Sequence, residues 1–212
     1  YGRIFNDFTH NKFRYLFFHS GPLAGGPSPA GAFLKSSSTE TRPNIQLHFL
    51  PLSLQKPGVL DTFSGYTFNV SQSRPLSRGK INIVSPRPTD PPEIMANYLD
   101  NPLDKFTLVN GMSVARNIGN ATAFDQFRTS EARPGSSVSS YFKMLDYIRE
   151  HSTSLYHPVG TCRMGAGDTA VVDQYLRVKG INGLRVADAS IMPQIISGNT
   201  NTATIMIAER AA

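Results

Sequence analysis

Residues 44–52 carry the clearest alternation in the chain. Ile45, Leu47 and Phe49 fall on one side and Gln46, His48 and Leu50 on the other. A period of two places successive side chains on opposite faces of an extended backbone, so this segment predicts a strand. Residues 66–70 and 80–85 predict two more, joined as an antiparallel hairpin through Ser77-Arg78-Gly79. The middle of the chain turns helical. Pro91-Pro92 fits a helix start before Glu93-Ile94-Met95, and Asn101-Pro102 reads as a cap followed by a first-turn proline. Beyond it Leu108, Met112 and Ala115 recur at i, i+4 and i+7, and later Phe142, Leu145 and Ile148 recur three apart. The aromatic run Tyr15-Leu16-Phe17-Phe18 predicts a helix or strand stub, followed by a loop through Gly21-Pro22 and Gly25-Gly26-Pro27. Residues 133–140 predict a polar loop. Leu176-Arg177-Val178 is echoed by Leu184-Arg185-Val186 across Gly180 and Gly183, a strand–turn–strand pattern. A polar loop, Ser197 to Asn201, then leads into a largely apolar helix over 203–211.

Composition narrows the class. A chain of 212 residues fits one large domain or two small ones. With 40% hydrophobic and 17% charged residues it is too apolar to be disordered. No apolar run approaches the roughly 18–20 residues of a membrane helix, so no transmembrane segment is expected. The single cysteine, Cys162, excludes an intrachain disulfide. The charge of +6 permits nucleic acid or an anionic cofactor. The basic residues are scattered, however, which makes a solvated surface the default and no nucleic-acid partner the expectation. The chain opens at Tyr1 without a leader and ends within a helical pattern, which reads as a fragment.

Five histidines are present: His10, His19, His48, His151 and His157. Histidine is the natural proton acceptor near neutral pH. His10, His19 and His151 have no chemical company nearby and read as surface or partly buried residues. His48 shares a strand face with Gln46 and could line a pocket, though an ordinary sheet position explains it as well. His157 differs. It precedes Pro158 and sits in an irregular loop with Gly160 and Gly165, where the backbone is restricted and can approach another group closely. Zinc-like ligand spacing is absent, and Cys162 reads as a small packing residue rather than a nucleophile. Gly165-Ala166-Gly167-Asp168-Thr169-Ala170 fits a dinucleotide fingerprint formally, but lacks the strand before and the helix after that the mechanism requires. The loop Gly198-Asn199-Thr200-Asn201 opens a helix. An asparagine there can cap the helix or hydrogen-bond a substrate oxygen.

The run His157-Pro158-Val159-Gly160-Thr161-Cys162-Arg163-Met164-Gly165 resembles the signature of the glucose–methanol–choline (GMC) flavoprotein oxidoreductases. Val171-Val172-Asp173, Leu176-Arg177-Val178, the stretch from Gly183 to Pro193 (GLRVADASIMP), Ser197-Gly198-Asn199-Thr200-Asn201 and the closing Met206 to Ala212 follow in the family's order. Upstream, Gly21-Pro22-Leu23, Gly31-Ala32-Phe33, the stretch from Asn44 to Phe49 and the stretch from Ser73 to Gly79 resemble the choline-dehydrogenase-like branch.

The resemblance implies an α+β fold: a substrate-binding antiparallel or mixed sheet with flanking helices, plus the last strand and helix of an FAD-binding domain. Residues 1–155 would form most of the substrate-binding domain. Residues 156–212 would hold the histidine loop and the segment returning to the FAD domain, whose N-terminal glycine fingerprint is not in this chain. His157 matches the family's catalytic histidine. Asn199 matches the second active-site position, with Asn201 as the alternative reading of that loop. Asp188, Ala189, Asn201 and Thr202 match positions against the FAD. His48 resembles a substrate-cavity histidine of the choline-specific members.

The implied activity is oxidation of a small-molecule alcohol to an aldehyde or ketone. Hydride passes to flavin N5, His157 acts as general base, and oxygen or a quinone-like molecule serves as acceptor. A cytoplasmic or peripherally membrane-associated enzyme is expected. The alternatives are a non-catalytic basic binding module and a lyase on the same scaffold.

Overall fold

The structure, a computed structural model, describes residues 8–21, 24–26, 28–56 and 58–212. Pro22, Leu23 and Pro27 of the sequence motifs lie outside the described residues. Helix α1 spans Phe8–Phe18, which resolves the aromatic stub as helical. The strands are β1 (Ala30–Leu34), β2 (Ile45–Leu50), β3 (Leu54–Lys56), β4 (Val59–Leu60), β5 (Thr67–Gln72), β6 (Lys80–Asn82) and β7 (Glu93–Met95). Helices α2 (Pro102–Gly119), α3 (Tyr141–His151) and α4 (Asn201–Ala211) follow, with single 3-10 turns at Thr122–Phe124 and Ala189–Ile191. The architecture is α+β, as expected.

The chain divides into two units. The first comprises residues 1–71 and 107–150, the second residues 72–106 and 151–212. In the first unit β2 lies between β1 and β5. β1 and β2 pair antiparallel, with Gly31 opposite His48. A Cβ on Gly31 would stand 2.8 Å from the Leu47 carbonyl oxygen, so the pairing at this point needs glycine. The alternating pattern is realised: Ile45 and Leu47 are buried, while Gln46 and His48 are half-buried on the opposite face. Phe49, Tyr66, Phe68 and Phe124 form an aromatic cluster with ring centroids 5.3–6.3 Å apart.

Helix α2 begins as its sequence dictates. Asn101 Oδ1 accepts from the Leu103 N–H at 2.9 Å, and Pro102 occupies the first helical position, where its missing N–H costs nothing. Its inner stripe differs from the expectation. Thr107, Val109, Gly111 and Ala115 are buried, Ala115 as expected, while Leu108 and Met112 stay half-buried. Gly111 belongs to this face because the helix approaches the sheet closely: a Cβ on it would meet Val70 Cγ1 at 2.7 Å. In α3 the core is Met144, Leu145 and Ile148, whereas Phe142 points to solvent.

The second unit corrects two expectations. Residues 66–70 and 80–85 do not form a hairpin. β5 lies beside β2, and β6 pairs antiparallel with β7, with Ile81 opposite Ile94. Residues 93–95 are accordingly strand and not the start of a helix. Helical continuation is broken by Asn97 and Leu99, both in the left-handed region at φ 51° and 61°.

The chain is drawn away from a local hairpin by Asp104, which is 1% exposed. Its Oδ1 accepts from Gln72 Nε2 at 2.6 Å and from the Leu76 N–H at 2.9 Å. Its Oδ2 accepts from the Ser77 N–H at 2.7 Å and the Ser77 hydroxyl at 2.5 Å. Burial by itself pushes this carboxyl up. The Leu76 and Ser77 donors and the Gln72 amide outweigh burial and hold it below the usual carboxylate range. Among the described residues no helix is long and apolar enough to cross a membrane.

Candidate active site

The His157 loop is fastened to the segment that follows Asp188. The N–H groups of Gly160 and Cys162 both donate to the Ser190 carbonyl, at 3.1 and 3.0 Å, and the Met164 N–H donates to the Ile191 carbonyl at 2.8 Å. Gly160 takes φ 95°, a conformation that glycine tolerates without cost, and Tyr156 beside His157 sits at φ 59°. The 3-10 turn at Ala189–Ile191 is capped by Asp188, whose Oδ1 accepts from the Ser190 N–H at 2.8 Å. Asp188 is otherwise exposed, and Ala189 is half-buried.

Residues 165–170 form turns between Met164 and Val172, which bridge in parallel, and no helix follows. The echo at 176–186 is a short ladder instead of two full strands. Arg177 bridges Arg185, the Val178 N–H donates to the Leu184 carbonyl at 3.0 Å, and Gly180 and Gly183 turn the chain at φ 80° and 76°.

This loop meets the start of α4. Nδ1 of the half-buried His157 lies 2.9 Å from the Thr200 hydroxyl. The Thr200 N–H reaches the same nitrogen at 3.4 Å, longer than an ordinary N–H bond. Thr200 is the N-cap residue of α4, and it is buried at 6% exposure. Neither Asn199 nor Asn201 caps the helix. Asn199, Asn201 and Thr202 are exposed, and their side chains form no hydrogen bond among the described residues. The helical ladder opens with Thr204 N–H to the Thr200 carbonyl at 2.9 Å. Among the described residues the amides of Asn201, Thr202 and Ala203 therefore have no acceptor at the positive end of the helix. The loop before them is tied down by Arg74 Nη1 to the Ser197 hydroxyl at 2.5 Å.

These groups form a donor-rich edge: three backbone N–H groups, two uncommitted side-chain amides and one hydroxyl. That chemistry suits an acceptor-rich partner. Among the described residues no three His, Cys, Asp or Glu side chains converge as a metal site.

His48 belongs to the first unit, and the other candidate residues belong to the second. It stands on β2 with Nε2 buried and unpartnered. Thr200 was not marked by the sequence, because a threonine at a helix start reads as an ordinary cap. Asp104 carried no local signal either, and Arg74 was noted only as part of the Ser73 to Gly79 stretch.

A family model described as GMC oxidoreductase matches residues 75–208. An alcohol dehydrogenase [acceptor] of Pseudomonas putida is 43% identical over 201 residues, covering 94% of this chain and 36% of that protein. An oxygen-dependent choline dehydrogenase of Yersinia pseudotuberculosis is 42% identical, covering 93% of this chain and 35% of that protein. The chain thus spans about a third of the length of these relatives. Among solved structures, pyridoxine 4-oxidase from Mesorbium loti superposes with a TM-score of 0.80 at 30% identity, over 87% of this chain and 37% of that one. A formate oxidase of Aspergillus oryzae reaches 0.86 at 23% identity, over 96% of this chain and 40% of that one, a likeness of fold.

Proposed function

The chain belongs to the GMC oxidoreductases, a family whose cofactor is FAD, and from that premise we propose that it carries the proton-handling part of an alcohol-oxidising active site. The observation that supports this most directly is the 2.9 Å contact between His157 Nδ1 and Thr200. It joins the histidine loop to the donor-rich start of α4.

In this reading the alcohol is oxidised to an aldehyde or ketone. FAD, when bound, supplies the hydride acceptor at flavin N5. Hydride leaves a carbinol carbon readily only as negative charge builds on its oxygen, so a base and a donor must converge there. His157 takes the hydroxyl proton at Nε2. Asn199 donates its side-chain amide to the forming alkoxide and orients it. Asn201 and Thr202 offer donors to the flavin, and Asp188 with Ala189 line its ribityl–pyrophosphate side. The backbone amides left open at the start of α4 support the first of these roles, and the exposure of Asp188 supports the second.

His48 is the proposed substrate contact, supported by its buried, unpartnered Nε2. Residues 1–155 are assigned to the substrate-binding domain, and 156–212 to the histidine loop and the return to the FAD domain. The acceptor is oxygen or a quinone-like molecule.

The test uses the complete, FAD-loaded gene product with choline, ethanol and benzyl alcohol as trial substrates. His157→Ala should lower turnover by at least about 10²-fold, the scale of a lost general base. Normal aldehyde production by the variant at full FAD content would refute the assignment.

A further inference from the structure

We propose that Thr200 is a positioning residue for His157. Its hydroxyl accepts a hydrogen bond from Nδ1–H, fixes the ring, and leaves Nε2 as the nitrogen that receives the substrate proton. The proposal rests on the reading of His157 as the base.

Three observations carry it. The contact is a full hydrogen bond of 2.9 Å between residues 43 apart in sequence, so the tertiary fold and not local geometry creates it. The hydroxyl has also abandoned its local duty. A threonine at an N-cap ordinarily accepts from the N–H two or three residues on, and this one makes no such bond. It has turned to the imidazole instead, at a residue only 6% exposed.

Both partners are, thirdly, held from outside. The His157 loop is bonded through Gly160, Cys162 and Met164. The Thr200 carbonyl accepts from both the N–H and the hydroxyl of Thr204, each at 2.9 Å. Neither end of the contact can drift without breaking those bonds.

The tautomer follows from the base duty. A neutral imidazole has one N–H and one lone pair. A lone pair at Nε2 requires the proton on Nδ1, and the Thr200 oxygen stands 2.9 Å away to accept it; the Thr200 N–H, 3.4 Å from the same nitrogen, is the one contact that would favour the opposite tautomer. When the alcohol proton arrives at Nε2, the Nδ1 proton stays in place and its bond to Thr200 becomes charge-assisted. No group has to rotate during the transfer. In the opposite tautomer Nε2 would already be protonated and could only donate.

The experiment compares Thr200→Val, Thr200→Ser and His157→Asn in the complete, FAD-loaded gene product, on whichever of choline, ethanol or benzyl alcohol the parent oxidises. Thr200→Val should lower kcat about 10- to 100-fold, the usual cost of losing an orienting partner. KM and the flavin absorbance should change little, and Thr200→Ser should restore most of the rate. Nitrogen chemical shifts of labelled His157 in the parent should show a protonated Nδ1 in the neutral ring. Full turnover by Thr200→Val beside an inactive His157→Asn overturns the role of Thr200 alone. Full turnover by His157→Asn overturns the base reading instead. An unprotonated Nδ1 in the neutral ring of the parent overturns the tautomer, and decides the matter even if Thr200→Val fails to fold.

Discussion

Asp104 offers the sharpest quantitative test, because its replacement by asparagine removes charge while nearly keeping shape. The carboxylate accepts from Gln72 Nε2, the Leu76 N–H, the Ser77 N–H and the Ser77 hydroxyl. In Asp104→Asn the new NH2 group is best placed at the position of Oδ1. There Gln72 can turn its own amide and present oxygen. The surviving carbonyl then sits at Oδ2 and still faces the Ser77 donors and, at 3.1 Å, the Leu76 N–H. What is lost is charge assistance on four bonds, at about 0.5–0.75 kcal/mol each, or roughly 2–3 kcal/mol in all. Asp104→Ala leaves the same donors buried with no acceptor and should cost more, about 4 kcal/mol.

The readout is amide hydrogen exchange at Leu76 and Ser77, which reports this clamp instead of global unfolding. Asp104→Asn should speed exchange roughly 30- to 150-fold, the equivalent of that free energy. Exchange within about threefold of the parent would mean that the clamp contributes little beyond shape. Equal rates in the asparagine and alanine variants would refute the assignment of the difference to charge assistance.

Acid should act on the same clamp. The folded state holds Asp104 below its ordinary range. Its contribution is therefore complete above the usual carboxylate pKa and is lost as pH falls through the depressed one. Exchange protection at Leu76, corrected for intrinsic rates, should hold from pH 6 down to the usual carboxylate pKa of about 4 and drop below it in the parent, and change less in Asp104→Asn. Asn199→Ala in the FAD-loaded protein should lower kcat about 10²- to 10³-fold with FAD retained, the scale of a lost oxyanion donor. Steady-state kinetics checks this, and an unchanged kcat would assign the donor elsewhere. Gly79→Ala would set a Cβ 2.3 Å from the Met95 carbonyl oxygen and 2.7 Å from that of Ala96. Since backbone must give way, a loss of about 3 kcal/mol is expected, visible as reduced exchange protection across β6 and β7.

Several elements were legible from the chain alone because their causes are local. The alternation of Ile45, Leu47 and Phe49 specifies a half-buried strand wherever a core is available. Asn101-Pro102 starts α2 through a cap bond within two residues. The resemblance carried by the His157 run led to the family that the comparisons bear out. Where the reading failed, the deciding partner was distant or small. Leu108 and Met112 carry the apolar pattern of α2, yet they stay half-buried, while Gly111 is buried and lets the helix approach Val70. Glu93-Ile94-Met95 carries a helix start signal, but Ile94 finds Ile81 across a sheet.

The candidate site shows the same division. The sequence by itself determined that His157 is rigidly held, that a polar loop opens the last helix, and that this pair of features belongs to a flavoenzyme family. Only the tertiary structure decided which of three consecutive polar residues turns inward. Asn199 and Asn201 face outward and Thr200 meets the histidine. Residue type cannot make that choice, since all three can cap a helix or donate a hydrogen bond. It is made by the bonds that bring residue 157 to residue 200. Those depend on the carbonyls of Ser190 and Ile191 and on the Arg74–Ser197 tie, which no local pattern records.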